Sequence, residues 1–480
     1  MVRAFRTLAA VALLTVSLLA CGDDDGGDGA SPSSPPASLD GAATGEPLAA
    51  PEVIAGEDGP GGRQLVAKLE VAKAPTEIAG VEMTALTYNG SFQPPLLEMT
   101  PGDHVEITIV NGLDEATNLH THGLHVSPIT PGDNVLMTIP AGESFTYEYD
   151  LPDDHAPGTY WYHSHAHGIS EGQVFAGMSG VIVIRGLDEL LPADLRDVTQ
   201  HVFALKDIQI EDGAIITDNI DSNASTTRLV NGQLQPVVTM RPGEIQLWRL
   251  ANVGADIFYR VALSGAELHV IAEDGNPVAQ VRSFDDLVMP PGKRFDVLVQ
   301  AADSGSMNLE TLGYDQGGDT YPEVTLATVA IDGDPAPELS LPTSLAPFDD
   351  LREVEAAESR SFAFTEDDAN NQFFINGEMF SHDRVNTVVQ LDTVEEWAIS
   401  NDTTEQHPFH IHVNDFQVVS VNGEAYDAVS LQDTVILPPG GDVVIRMHFT
   451  DFLGKYVYHC HILNHEDNGM MAVLEVVAAA

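Results

Sequence analysis

Pro101-Gly102-Asp103-His104-Val105-Glu106-Ile107-Thr108-Ile109-Val110-Asn111 sets a Pro-Gly turn, an alternating run and an asparagine side by side. Valine and isoleucine at 105, 107 and 109 recur with period two, the period of a strand with one buried face. The same unit returns at Pro242-Gly243 leading to Asn252, and a third copy without the Pro-Gly runs from Val394 to Asn401. A second turn and strand comes after each copy, at Pro140 to Tyr149, Pro290 to Val299 and Pro438 to Phe449. Short alternating runs between Pro-Gly turns, such as Val181-Ile182-Val183-Ile184, mark an all-β protein. A threefold internal repeat makes it three β-sandwich units of one ancestry.

The copies differ in the segment after each half. In the first and third, that segment is rich in histidine. In the second, Asp256-Ile257-Phe258-Tyr259 stands in its place. The outer units are therefore expected to bind something that histidine favours, with the middle unit a spacer.

Ten of the 18 histidines lie in four clusters: His120-Thr121-His122, His163-Ser164-His165, His407-Pro408-Phe409-His410-Ile411-His412 and His459-Cys460-His461-Ile462-Leu463-Asn464-His465. Successive side chains of a strand face opposite ways. His459 and His461 thus point to one side and Cys460 to the other. Cys460 can draw on His465, on Met470 in the following loop, and on His407, which Pro408 turns inward. Two imidazoles, a thiolate and a weak thioether are the ligand set of a blue electron-transfer copper. The other eight histidines form His-x-His pairs at 120/122, 163/165, 410/412 and 459/461. Two pairs come from each outer unit, so they can meet only where those units meet. Eight imidazoles suffice for three coppers, and the backbone beside Cys460 joins the two sites on both sides.

These four clusters resemble the copper-ligand motifs of the multicopper oxidases, the family of laccases, copper efflux oxidases and bilirubin oxidases. The resemblance spans roughly residues 66–477, with every motif present and in order. It implies three cupredoxin-like Greek-key β-sandwich domains and four copper ions. Type 1 copper would fall to His407, Cys460, His465 and Met470. Type 2 copper would fall to His120 and His410, and the type 3 pair to His122, His163, His165, His412, His459 and His461. It implies oxidation of reducing substrates one electron at a time (phenols, aromatic amines or low-valent metal ions) and reduction of O2 to water. Glu466, directly after His465, resembles the glutamate that delivers protons to oxygen in bacterial laccases and bilirubin oxidases. The family's aspartate near the type 2 copper falls at Asp133. Asp467 reads as a solvated loop acid, Met471 as core. His104, His125, His155, His167, His201, His269, His382 and His448 match no ligand position and read as surface or satisfied structural residues.

Composition narrows the partners. The 480 residues carry 20 Lys+Arg against 73 Asp+Glu, a net charge of −53. A surface this acidic excludes nucleic acid, and it excludes charge-driven docking on anionic lipid. Residues 1–20 contribute +2 and residues 22–65 contribute −8, so −47 falls on the body. That excess suits a high-salt habitat, where counterions screen self-repulsion. Residues 1–21 read as a lipoprotein-type export signal: Arg3 and Arg6, an apolar run from Leu8 to Ala20 too short to span a membrane, and the lipobox-like Leu18-Leu19-Ala20-Cys21. The expected organisation continues with a disordered acidic linker at 22–65, then units at 66–187, 188–335 and 360–480, with a Pro-rich linker at 336–359. The chain is expected to be an exported monomer of the cell envelope, attached to a membrane only through lipid on Cys21.

Other chemistries fit less well. A copper nitrite reductase has no use for imidazoles on both sides of the cysteine. Catalytic zinc takes three protein ligands and no cysteine between paired histidines. A scaffold with eroded ligands would not keep the complete set, and a copper-sequestering protein would bind metal without turnover. The 12 methionines form no cluster of the kind copper efflux oxidases use for Cu(I). The acidic surface favours cationic or neutral donors, Mn(II) and Fe(II) among them. An axial Met470 implies a type 1 potential towards the lower end of the family.

Overall fold

The computed structural model describes residues 45–59 and 61–479; the lipobox at Cys21 and the start of the linker lie outside them. Each unit is a sandwich of two sheets. In the first, the sheet built on Gly62–Ile78, Val81–Tyr88, His104–Asn111 and Ser144–Asp150 faces one built on Leu96–Met99, Ser179–Ile184, Gly158–His163 and His120–His122. The second and third units repeat the plan, with Ile245–Asn252 and Thr393–Asn401 in the place of His104–Asn111. Alternation works as read: Val105, Ile107 and Ile109 are fully buried, as are Val443, Ile445, Met447 and Phe449 of the strand Asp442–Phe449. Each such side chain contributes about 1.5–3 kcal/mol of burial.

The repeated asparagine has one role three times. Asn111 donates from Nδ2 to the carbonyls of Glu115 (2.8 Å) and Ile139 (3.0 Å). Asn252 donates to Ile257 (2.9 Å) and Met289 (3.0 Å), and Asn401 to Glu405 (2.7 Å) and Leu437 (3.1 Å). Each carboxamide, buried at the strand end, ties together the two loops that lead into the next half of the repeat. In the outer units the first of those loops delivers a histidine cluster.

Within the stretch expected to be a disordered tether up to residue 65, residues 53–55, 57–59 and 62–65 form strands. Val53–Ala55 adds a parallel strand to Leu96–Met99, and Glu57–Gly59 pairs with the start of Gly62–Ile78. Sheet edges supplied hydrogen-bond partners to a segment whose composition offered no apolar face. The linker at 336–359 is mostly irregular but lies on the second unit, where Leu339, Leu341 and Leu345 pack beside Leu187, Leu247 and Ile271.

The units share cores. The hairpin Ile210–Glu211/Ala214–Ile215 leaves the second unit and joins the first unit's sheet at Thr84. Ile208, Ile210 and Ile215 enter the first unit's apolar core, as does Leu463 from the third. Among the described residues no helix is long and apolar enough to cross a membrane.

Candidate metal centre

Two antiparallel ladders build the site. His120 pairs with His163, and His122 with Trp161, in the first unit. Phe409 pairs with Cys460, and His410 with His459, in the third. These strands bring all eight paired histidines to the boundary between the outer units. His120 stacks on His412 and His122 on His410, each with centroids 3.8 Å apart. His165 and His412 each place Nε2 3.2 Å from His459 Nε2, and His461 Nε2 lies 3.1 Å from His122 Nδ1. All eight rings are at most 2 % exposed.

Outer contacts fix which nitrogen faces inward. His120 Nδ1 meets Asp133 Oδ2 at 2.9 Å, His163 Nδ1 meets its neighbour's carbonyl at 2.8 Å, and His410 Nδ1 meets the Asp433 carbonyl at 2.8 Å. The Nε2 atoms of these three rings are buried without a hydrogen-bond partner. Burial and neighbouring imidazoles hold His122, His163, His165, His410, His412 and His461 well below the usual histidine range. Burial pushes His459 down to about 3. Neutral imidazoles turned nitrogen to nitrogen, with inner lone pairs unspent, are a donor set for metal ions.

On the other face of Gly454–Cys460, Cys460 Sγ lies 3.6 Å from His407 Nδ1 and 3.7 Å from His465 Nδ1. Those two nitrogens are 3.2 Å apart. Met470, fully buried, closes the loop: its carbonyl accepts from the Cys460 N–H (3.0 Å) and its N–H donates to the His465 carbonyl (2.9 Å). The turn between them passes through Gly469 at φ +120°, where a Cβ would come within 2.7 Å of the Phe373 carbonyl oxygen. Burial pushes the Cys460 thiol up, so a metal must displace its proton to bind.

Three models described as multicopper oxidase match residues 70–189, 193–308 and 353–480 in succession. The chain belongs to the multicopper oxidase family. It is 29% identical to the multicopper oxidase mco of Staphylococcus haemolyticus, over 82% of this chain and 83% of that one. It is 27% identical to a laccase of Haloferax volcanii, over 81% and 77%. A solved multicopper oxidase from Campylobacter jejuni, described as a metallo-oxidase, superposes with a TM-score of 0.80 at 28% identity, covering 91% of this chain and 96% of that one. As a multicopper oxidase the protein is a copper-dependent oxidoreductase that uses O2. The three domains are the cupredoxin-like sandwiches described above.

Around the histidine cluster, Glu466 is fully buried, with its two oxygens 3.3 Å from His165 Nδ1 and from His459 Nδ1. Asp133 accepts from the Thr121 N–H (3.0 Å) and hydroxyl (2.9 Å) through the same oxygen that meets His120. Asp467 is no solvated loop acid. It accepts from the N–H groups of Gly168 (2.6 Å) and Glu171 (2.8 Å), where the short helix Ser170–Phe175 begins. Met471 is core, 3 % exposed. Away from the two clusters, His104 pairs with Asp150, His125 with Asp451 and the Val413 carbonyl, and His448 with Asp392. His155 accepts from the His125 N–H, and His269 meets the Ser283 hydroxyl. His167 packs edge-on to Phe380, its Nδ1 buried without a partner.

The second unit gives the cluster no histidine, yet it does touch it. The second unit's turn brings Gly292, at φ +85°, against two of the rings: a Cβ there would lie 3.1 Å from both His122 Cε1 and His461 Cδ2. The motif reading also missed a cavity of about 380 Å³ beside His465, lined by Glu171, Asp221, Asp256, Asp319 and Glu405. His465 is 8 % exposed, the most of any of the residues expected to bind copper. Asn464, next in chain, joins it to the acids: its N–H donates to Asp256 Oδ1 (3.1 Å) and its Nδ2 to Glu171 Oε2 (3.0 Å).

Proposed function

We propose that the protein oxidises small donors one electron at a time through the edge of His465 and passes the electrons along His459-Cys460-His461 to a three-copper cluster. When bound, copper supplies the redox chemistry: one-electron acceptance at the cysteine site and four-electron reduction of O2 to water at the histidine cluster. His407, Cys460 and His465, with the Met470 thioether, would hold one ion. His120 and His410 would hold a second, and the remaining six paired histidines the other two. The observation that carries this reading is the cysteine centred between two imidazoles on one face of a strand, with its chain neighbours in the eight-ring cluster on the other.

The residues around the metals then divide the work. Asp133 orients His120. Glu466, in contact with two rings of the cluster and shielded from bulk water, holds a proton where O2 reduction consumes four. The acidic cavity sets the donor class. Five carboxylates beside the His465 ring favour a low-valent metal cation or a cationic aromatic amine over an anionic reductant. Likeness to a metallo-oxidase supports the metal-ion reading, and likeness to laccases the aromatic one. O2 uptake by copper-loaded protein, screened against Fe(II), Mn(II), Cu(I), phenols and aromatic amines, decides the order. A protein that binds copper but consumes no O2 with any of them is a store and no oxidase. The lipobox supports an exported protein tethered through Cys21. Cys21→Ser should release it from the membrane fraction, and unchanged partitioning would remove the anchor.

A further inference from the structure

We propose that Arg294, in the domain without a histidine cluster, is a positioning residue for the three-copper cluster, acting through Asp433 on ligands of two different coppers. This rests on the copper reading above. Arg294 is fully buried on the strand Arg294–Gln300, two residues beyond Gly292. Its guanidinium forks onto Asp433, Nη1 to Oδ1 at 2.8 Å and Nη2 to Oδ2 at 2.7 Å, while Nε donates to the Thr159 carbonyl of the first domain at 3.1 Å. One side chain thus ties all three domains together at a single point.

Asp433, whose Oδ1 also accepts from the Thr434 hydroxyl at 2.8 Å, reaches the cluster through two groups. Oδ1 lies 3.2 Å from His122 Nε2, and the backbone carbonyl is the acceptor for His410 Nδ1. The first contact leaves His122 to face inward through Nδ1 and the second leaves His410 to face inward through Nε2. The choice of nitrogen on two stacked rings therefore depends on where one aspartate sits. Asp274, also of the middle domain, holds that aspartate from behind: its Oδ2 accepts from the Asp433 N–H at 3.2 Å. A planar fork fixes both position and orientation of a carboxylate, which a flexible ammonium does not. Partners of this kind that orient a metal-ligating histidine are worth about 10- to 100-fold in metal affinity or activity.

The test titrates metal-free protein with Cu(II), for wild type, Asp433→Asn and Arg294→Met. It follows copper per chain, the blue absorption of the cysteine site and the paramagnetic resonance of the cluster. Asp433→Asn keeps the side-chain volume and the carbonyl that holds His410, and it decides the matter if Arg294→Met fails to fold. The expected result is an unchanged blue absorption with cluster copper bound about 10- to 100-fold more weakly and an altered cluster resonance. Wild-type affinity and resonance at the cluster would overturn the proposal. So would parallel loss of the blue and cluster coppers, which marks a general loss of fold. Wild type that takes up no copper would instead refute the copper reading itself.

Discussion

The rings of His120 and His412 lie face to face, 3.8 Å between centroids and 11° between planes, although they belong to domains at opposite ends of the chain. Metal held there joins the outer domains as well as serving chemistry. Removing copper should therefore lower the melting temperature. Free copper at a thousandfold over its Kd adds about 4 kcal/mol to the folded state. Calorimetry with and without chelator should show the loss, and His412→Ala should shrink the difference between the two forms.

Cys460→Ser should abolish the blue absorption and donor-supported O2 uptake together while copper remains at the eight-histidine cluster. Metal analysis alongside the visible spectrum checks it. Retained blue colour would place the thiolate site elsewhere.

Glu466→Gln should lower turnover by about 10²-fold or more, the range for loss of a positioned acid or base, with the blue absorption unchanged. The amide keeps the shape but cannot exchange a proton. Rapid reduction of the enzyme by donor, followed by slow reoxidation by O2, would locate the defect at the cluster.

Affinity for a metal-ion donor should rise with pH through neutrality. Burial pushes Glu171 up to about 7, and burial together with Glu171 raises Asp256 well above the carboxylate range. A cation binds the ionised forms, so protons compete with it below pH 7 and cease to compete above. KM for the cation should fall across that window. Glu171→Gln should flatten the dependence for a metal ion and leave a neutral phenol unaffected.

A net charge of −53 should make the fold depend on salt. The screening length shrinks from about 10 Å at 0.1 M to about 3 Å at 1 M, which relieves repulsion between carboxylates on the surface. The melting temperature should climb with sodium chloride over that range. A flat response would assign the acidity to solubility alone.

The grouping of these histidines and Cys460 into two clusters was legible because the pattern is local. Four short clusters and the two-residue period of a strand suffice to separate Cys460 from His459 and His461, and the repeated asparagines announce three related sandwiches. What stayed hidden acts across distance in the chain. Arg294 meets Asp433, and Asp433 meets His122, through pairs of residues that share no motif. The acidic cavity gathers Glu171, Asp256 and Glu405 from three domains. Asp467 reads as a loop acid because a carboxylate that receives backbone N–H groups from another domain looks, in sequence, like any other. Val53–Ala55 carries no alternation because it borrows its hydrogen bonds from a neighbour's edge.

The hairpin at Ile210–Ile215 makes the borders between domains unsuitable places to cut. A gene fragment encoding only residues 66–187 would lack Ile208, Ile210 and Ile215 beneath its sheet, and Leu463 as well. Its product would expose the apolar surface they cover and aggregate. Recombination between relatives should succeed only when donor segments carry that hairpin along with the first domain, which moves the usable crossover point past Ile215.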